Sequence, residues 1–295
     1  MQKRMMLLIN PNAGRGAYRS VLGDVLKVFY DGGWLPTVFF TQEQGDAPTL
    51  VTDHASDFDL VVCIGGDGTL SEVCSGMMLL ESQRPIGYIP LGTANDVART
   101  LGIPFKPAEA AHHILSGREM PYDIGQFGCN SFFTYIAAFG AFTEVSYATP
   151  QERKRTWGHM AYMLEALRHL GQLTTSHAIV EYDGGVLEDE FLFGAVANST
   201  SVAGLVKLDN DKVDLADGIF EILLVKKPRD LLDLNDIVIS ILSSDFSGPN
   251  VSFLKSREVR ILFDEPIAWT RDGEDGGKHR DVFIQSRHPG VTLLV

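Results

Sequence analysis

Between about residues 5 and 124, short apolar runs alternate with segments whose apolar residues recur at helical spacing. Residues 5–9, 36–40, 60–64 and 86–89 are β-branched or apolar, which predicts strands, while 18–30, 69–80 and 94–101 carry the helical period. Such alternation predicts an open α/β sheet, and ligands of such sheets collect at the carboxyl ends of the strands. The polar or glycine-rich turns beginning at Asn10, Thr41, Gly65 and Leu91 each follow a predicted strand, so one crevice can hold all four.

After about residue 126 the rhythm becomes β-rich, with runs at 131–139, 177–182, 190–198, 219–225, 259–263 and 281–286. The pattern predicts two domains: an α/β domain over 1–125 and a β-sandwich-like domain over 126–295, whose last few residues are free to return to the first. One helix is expected inside the second domain, at 157–171, with Trp157, Met160, Ala161, Leu164 and Leu167 on one face. Arg153, Lys154 and Arg155 precede it, so the same face is also a candidate for docking on lipid headgroups.

Composition narrows the function classes. The chain has 295 residues, 45% hydrophobic and 21% charged, ordinary for a globular protein with ample core. A net charge of −13 argues against broad nucleic-acid binding and against constitutive adhesion to an anionic membrane. Cys63, Cys74 and Cys129 show no C-x-x-C spacing, and the eight histidines show no metal-binding spacing. The cysteine usage leads to the expectation of a reducing cytoplasm, and no run reaches the roughly 20 apolar residues that span a bilayer, so a soluble or at most peripheral protein is expected.

The run Gly-Gly-Asp-Gly-Thr at 65–69 is the strongest chemical signal. Gly65, Gly66 and Gly68 are expected to take φ > 0 and let a phosphate approach the main chain, and Thr69 with Glu72 reads as a capping box opening a helix. Free N–H groups at that helix start would face an anion. No Lys-Ser or Lys-Thr follows, so this is no P-loop, and the spacing is not that of a dinucleotide fingerprint. Asn10 can hydrogen-bond a phosphate or nucleoside, Thr93 can cap the helix it precedes, and Arg99 lies one turn after Asn95 on the same face. The Asp-Gly-Glu run at 272–274 offers two acids that could accept a proton from an alcohol, or simply a β-turn.

Together, Asn-Pro-Asn-Ala-Gly at 10–14, the glycine run at 65–69, Gly-Thr-Ala-Asn-Asp-Val-Ala-Arg at 92–99 and Asp-Gly-Glu at 272–274 resemble the diacylglycerol kinase catalytic family. These soluble bacterial lipid kinases share ancestry with sphingosine and ceramide kinases. The resemblance implies an NAD kinase/diacylglycerol kinase-like α/β nucleotide-binding domain, a β-sandwich-like C-terminal domain and an active site in the interdomain cleft. It implies ATP bound by Asn10, Thr41, Gly66, Asp67, Gly68, Thr69, Leu70, Ser71, Glu72, Thr93 and Asn95, with Asp67 serving Mg²⁺. Asp123 matches an aspartate of the metal and active-site network, and Asp272 or Glu274 is the proton acceptor. Asp214, Asp217 and Ile219 match a structural Mg²⁺ site, the last through its main chain. The implied reaction is phosphoryl transfer to a lipid hydroxyl, foremost diacylglycerol, with peripheral contact at the inner membrane surface and a homodimer left open.

Residues 198–207 depart from the glycine-rich run of many relatives, so polyprenol, phosphatidylglycerol and sphingoid lipids remain alternative acceptors. An NAD kinase-type enzyme and a silent nucleotide-binding regulator are the rival readings.

Overall fold

The computed structural model describes residues 3–141, 174–199, 201–202, 206–207 and 214–295. The expected helix at 157–171 and the candidate docking residues Arg153, Lys154, Arg155 and Trp157 lie outside them. Two compact units are present, Met1–Ile124 with Arg287–Val295, and Gly125–Ser286.

In the first unit the chain runs β1 (Lys3–Ile9), α1 (Tyr18–Asp31), β2 (Trp34–Phe40), α2 (Asp46–His54), β3 (Leu60–Gly65), α3 (Asp67–Met78), β4 (Ile86–Pro90), α4 (Asp96–Leu101) and α5 (Pro107–Ser116). The strands are parallel in the order β4-β3-β1-β2. Residues 5–9 and 60–65 are buried without alternation, as in a parallel sheet covered on both faces. The chain steps from β1 to β2 on one side and to β3 on the other, so the strand order reverses between β1 and β3.

Two helices of this unit escape the apolar pattern. Only Ala47 and Val51 of α2 are buried, while α5 buries Ala110, Ala111 and Ile114 behind Pro107 in its first turn. Alanine fills a helix–sheet interface without registering as a strong apolar period. The chain end joins this unit: Arg118 and Val295 exchange backbone hydrogen bonds of 2.8 and 3.0 Å.

The second unit contains the end of β5 (Glu119–Phe127), then β6 (Ser131–Phe133), β7 (Ile136–Gly140), β8 (Ser176–Tyr182) and β9 (Gly185–Ala197). A short hairpin, β10 (Ser201–Val202) with β11 (Val206–Lys207), precedes β12 (Phe220–Lys226), α6 (Leu231–Ser243), β13 (Val251–Ser256), β14 (Glu258–Arg271) and β15 (Glu274–Leu294). Pairing among its long strands is antiparallel. β7 and β8 lie end to end, each bridging from β9 to β14. Phe133, Phe139, Phe191, Phe220, Ile261 and Trp269 fill one core, with the Phe127 and Phe139 rings 5.2 and 4.9 Å from that of Trp269. On a second face, Ile136, Phe193, Leu223 and Val225 pack under Ile237 and Ile241 of α6.

Helix α6 is an addition to the expected elements. Its run of Ile237, Val238, Ile239 and Ile241 carries low helix propensity, and the determinant is instead its entry. The Asp230 carboxylate accepts from the N–H groups of Leu232 and Asp233 at 2.9 Å each.

β9 has room for no side chain at Gly194, where a Cβ would collide with the Phe139 ring. Gly194→Ala should therefore lower the urea midpoint by an amount equivalent to about 1–3 kcal/mol of overpacking. An unchanged midpoint would show that the ring can move aside.

Candidate functional site

At the switch point of the first unit, the loops that follow β1, β3 and β4 meet. Asn10 Nδ2 donates to Thr69 Oγ1 at 3.0 Å, and Asn10 Oδ1 accepts from the Asn12 N–H at 2.9 Å. One amide thus ties the first loop to the first turn of α3. A Cβ on Gly92 would stand 2.6 Å from Gly66 Cα, and one on Gly14 would stand 2.6 Å from the Leu91 carbonyl oxygen. The three loops are therefore packed backbone against backbone, and α3 starts among them, where the N–H groups of a helix's first turn have no intrahelical partner.

The glycines at 65, 66 and 68 work differently from the expectation. None has positive φ, and Gly66 sits at −97°. Close approach is the constraint: a Cβ on Gly65 would lie 2.5 Å from Thr69 Oγ1. Positive φ appears one loop away, at Gly14, Arg15 and Gly16.

The expected capping box is absent. Gly66 precedes α3 without a side-chain cap, Thr69 is buried within the first turn, and Glu72 Oε1 accepts from the Gly45 N–H at 2.9 Å. Glu72 thereby fastens the loop after β2, where Asp46 also collects the N–H groups of Gln42 and Glu43 at 2.6 and 2.8 Å. Thr41 begins this loop, buried, with its N–H on the Ile9 carbonyl. Thr93 is exposed and does not cap α4, whose preceding residue is Asn95 at φ +51°.

Asn95 instead clasps Gly92, accepting from its N–H and donating to its carbonyl, both at 2.9 Å. Tyr88, which the sequence did not flag, places its hydroxyl 3.3 Å from Asn95 Oδ1 and 3.4 Å from the Gly65 carbonyl. Burial, aided by the charge of Asp67, pushes the Tyr88 phenol up, so it remains a donor. Asp67 Oδ1 accepts from the Val97 N–H at 3.2 Å, joining the starts of α3 and α4. Leu70 N–H makes the first helical bond of α3 to Gly66, Ser71 is half-buried beside it, and Arg99 lies over the Phe105 ring at 5.6 Å. Asp123, on β5, is buried and 2.7 Å from His288 Nδ1.

In the second unit, Asp272 and Gly273 form the two-residue turn between β14 and β15, at φ +49° and +83°. Asp272 is 7% exposed, and its carboxylate accepts four hydrogen bonds. Thr134 N–H and Oγ1 reach Oδ2 at 2.6 and 2.8 Å, and the N–H groups of Tyr135 and Ile136 reach Oδ1 at 3.0 Å each. This explains why the expected strand at 131–139 is two strands: its backbone turns aside at 134–135 to serve the carboxylate. Glu274, by contrast, is exposed at the start of β15.

The turn at 214–219 carries two local carboxylate bonds, Asp214 Oδ1 from Ala216 N–H at 3.0 Å and Asp217 Oδ1 from Ile219 N–H at 2.9 Å. Behind it Glu221, 1% exposed, has one oxygen without a partner, and its other oxygen is 3.3 Å from Lys255 Nζ. No group of three metal-binding side chains occurs among the described residues.

Comparison with known proteins bears on this arrangement. Residues 4–127 match the diacylglycerol kinase catalytic domain, and residues 137–292 match the YegS C-terminal NAD kinase beta sandwich-like domain. A diacylglycerol kinase of Bacillus subtilis (strain 168) is 32% identical over 294 residues, 99% of this chain and 96% of its own. The chain belongs to the diacylglycerol kinase family. A second member, from Staphylococcus carnosus (strain TM300), is 34% identical over 281 residues, covering 94% of this chain and 90% of that one. The crystal structure of a diacylglycerol kinase from Bacillus anthracis str. Sterne superposes with a TM-score of 0.79 at 26% identity, covering 99% and 96% of the two chains. The two expected fold types, an α/β catalytic domain and a β-sandwich-like domain, are those of this lipid kinase family. No helix among the described residues is long and apolar enough to cross a membrane.

In this lipid kinase, burial, more than the charge of Asp217, pushes the Glu221 carboxyl up from 4.5 to about 7 against the pull of Lys255. A raised acid favours the folded state most when protonated in it. Its contribution is thus fully present below pH 4.5 and lost as pH rises through about 7. Glu221→Gln should flatten this part of the stability profile, read as urea midpoints at about pH 5 and about pH 8 in metal-free buffer. Parallel profiles for variant and parent would refute the assignment.

Proposed function

We propose that this lipid kinase transfers the γ-phosphoryl group of ATP to the hydroxyl of diacylglycerol, giving phosphatidic acid, with Glu274 as proton acceptor. The saturation of Asp272 carries this reading. A carboxylate offers about four lone-pair sites, and here all four are occupied, so Asp272 has none left for a substrate proton. Its task is to hold the turn, and Glu274, two residues on, is the exposed acid of the hairpin and takes the proton of an incoming alcohol.

The first unit supplies the nucleotide side. N–H groups at the start of α3, around Gly66, Asp67, Gly68 and Thr69, receive phosphate oxygens, with Asn10, Thr69 and Asn95 fixing the loops. Leu70, Ser71 and Glu72 continue that wall, while Thr41 and Thr93 border it. Mg²⁺ supplies charge neutralisation at the phosphates when bound.

The turn at 214–219 suits a structural Mg²⁺ by its donors: each of Asp214 and Asp217 uses one carboxylate oxygen locally, and Ile219 adds a hard carbonyl oxygen. Diacylglycerol does not readily leave a bilayer, so catalysis takes place on a cytoplasmic enzyme in peripheral contact with the inner membrane surface.

Labelled phosphate should pass from ATP with Mg²⁺ to diacylglycerol in mixed micelles in preference to polyprenol, phosphatidylglycerol, sphingoid bases or NAD. Label on NAD alone, or on nothing despite ATP binding, would replace this reading with the soluble kinase or the silent regulator. Glu274→Gln should reduce kcat on the order of 10²–10⁴-fold with ATP binding and melting midpoint preserved. Asp272→Asn should lower the melting midpoint as well as turnover, because an amide cannot accept from all four donors. Near-normal turnover in Glu274→Gln would remove it from the mechanism.

A further inference from the structure

Arg271 ends β14 and stands directly opposite Glu274, the first residue of β15, across the Asp272-Gly273 turn. Opposed residues of an antiparallel pair project from the same face with Cβ atoms about 5 Å apart. Arginine and glutamate therefore leave the hairpin on one side, within a side chain's length of each other. Asp272 does not neutralise the arginine, since its carboxylate is committed to residues 134–136.

The guanidinium is held but unpaired. Its central carbon lies 5.6 Å from the centre of the Phe127 ring, and Nε is buried with no hydrogen-bond partner. Among the described residues it donates to no acceptor and joins no ion pair. Arginine carries five donors in a planar fork that fits the oxygens of a phosphate, and stacking on an aromatic ring fixes that plane. A half-buried fork without a protein acceptor, beside the group that receives the substrate proton, is organised for an oxyanion from outside the chain.

We propose that Arg271 is a catalytic residue that binds the phosphoryl group in transfer, an inference that rests on Glu274 being the proton acceptor. In the step, the lipid hydroxyl gives its proton to the Glu274 carboxylate and its oxygen lone pair forms the new bond to the γ-phosphorus. The bond from that phosphorus to the bridging oxygen breaks, and its electron pair leaves on ADP. Arg271 forms and breaks no covalent bond. Its N–H groups donate to non-bridging oxygens of the moving phosphoryl group and hold the same oxygens on the lipid product.

Kinetics of the full-length enzyme with ATP, Mg²⁺ and diacylglycerol in neutral mixed micelles test this. Arg271→Ala should lower kcat by about 10²–10³-fold, the effect of losing one oxyanion donor, with ATP affinity and melting midpoint unchanged. Arg271→Lys, which keeps a charge but not the fork, should recover little. Guanidinium ion at low millimolar concentration should restore part of the Arg271→Ala activity and none in Glu274→Gln.

Turnover of Arg271→Ala within about twofold of the parent would overturn the proposal. So would a loss that guanidinium does not reverse and that tracks a lowered melting midpoint, shared by Arg271→Lys. A loss that appears only when anionic phospholipid is added to the micelles would assign the arginine to a headgroup phosphate, and would overturn it equally. Failure of the underlying reading is separable. Active Glu274→Gln removes the base, whereas inactive Glu274→Gln beside normal Arg271→Ala removes only the arginine.

Discussion

Four donors converge on the carboxylate of Asp272, and much of the second unit's local geometry follows from that saturation. The donors come from three successive residues at 134–136, so the backbone there cannot also serve as a continuous strand. β6 and β7 are separate for this reason. The Asp272 N–H completes the clamp on the Ile136 carbonyl at 2.8 Å. Held from both sides, the turn starts β15 with Glu274 exposed and sets Arg271 against it, while Trp269 two residues earlier anchors the same strand in the aromatic core.

A steric constraint plays the corresponding part in the first unit. Gly66 against Gly92, and Gly14 against the Leu91 carbonyl, bring three loops closer than side chains allow. Side-chain hydrogen bonds then fix their register: Asn10 to Thr69, Asn95 to Gly92, Asp67 to Val97 and Glu72 to Gly45. Polar residues that look available to a ligand in the sequence are thus partly engaged in shaping the loop backbone.

The fold was legible where burial imposes a single period. Strands at 5–9 and 60–64 are apolar throughout because both faces are covered, and their shortness and β-branched or apolar content separate them from a buried helix. Helices α2 and α5 were not legible, because alanine and proline carry their packing and initiation. α6 was obscured by β-branched residues that tertiary packing tolerates. The candidate site divided in the same way. Motif positions were visible as strings, but the partner of each polar group was not: Glu72 at helical spacing from Thr69 looked like a local cap, whereas its acceptor role serves Gly45, 27 residues away. The donors that set Asp272 apart from Glu274 lie 136–138 residues distant, which no local pattern encodes.

Among the described residues, four other than glycine adopt a left-handed backbone: Arg15, Asn95, Ser244 and Asp272. Three of them sit in the loops and hairpin discussed above, where glycine would relieve backbone strain. Glycine would also delete the Asn95 clasp and the Asp272 clamp. The hydrogen bonds lost there outweigh the relief, so selection for heat resistance alone would keep both occupants, which give up conformational ease for an oriented side chain. Screens that reward turnover and survival together should leave Asn95 and Asp272 untouched and gain their stability elsewhere.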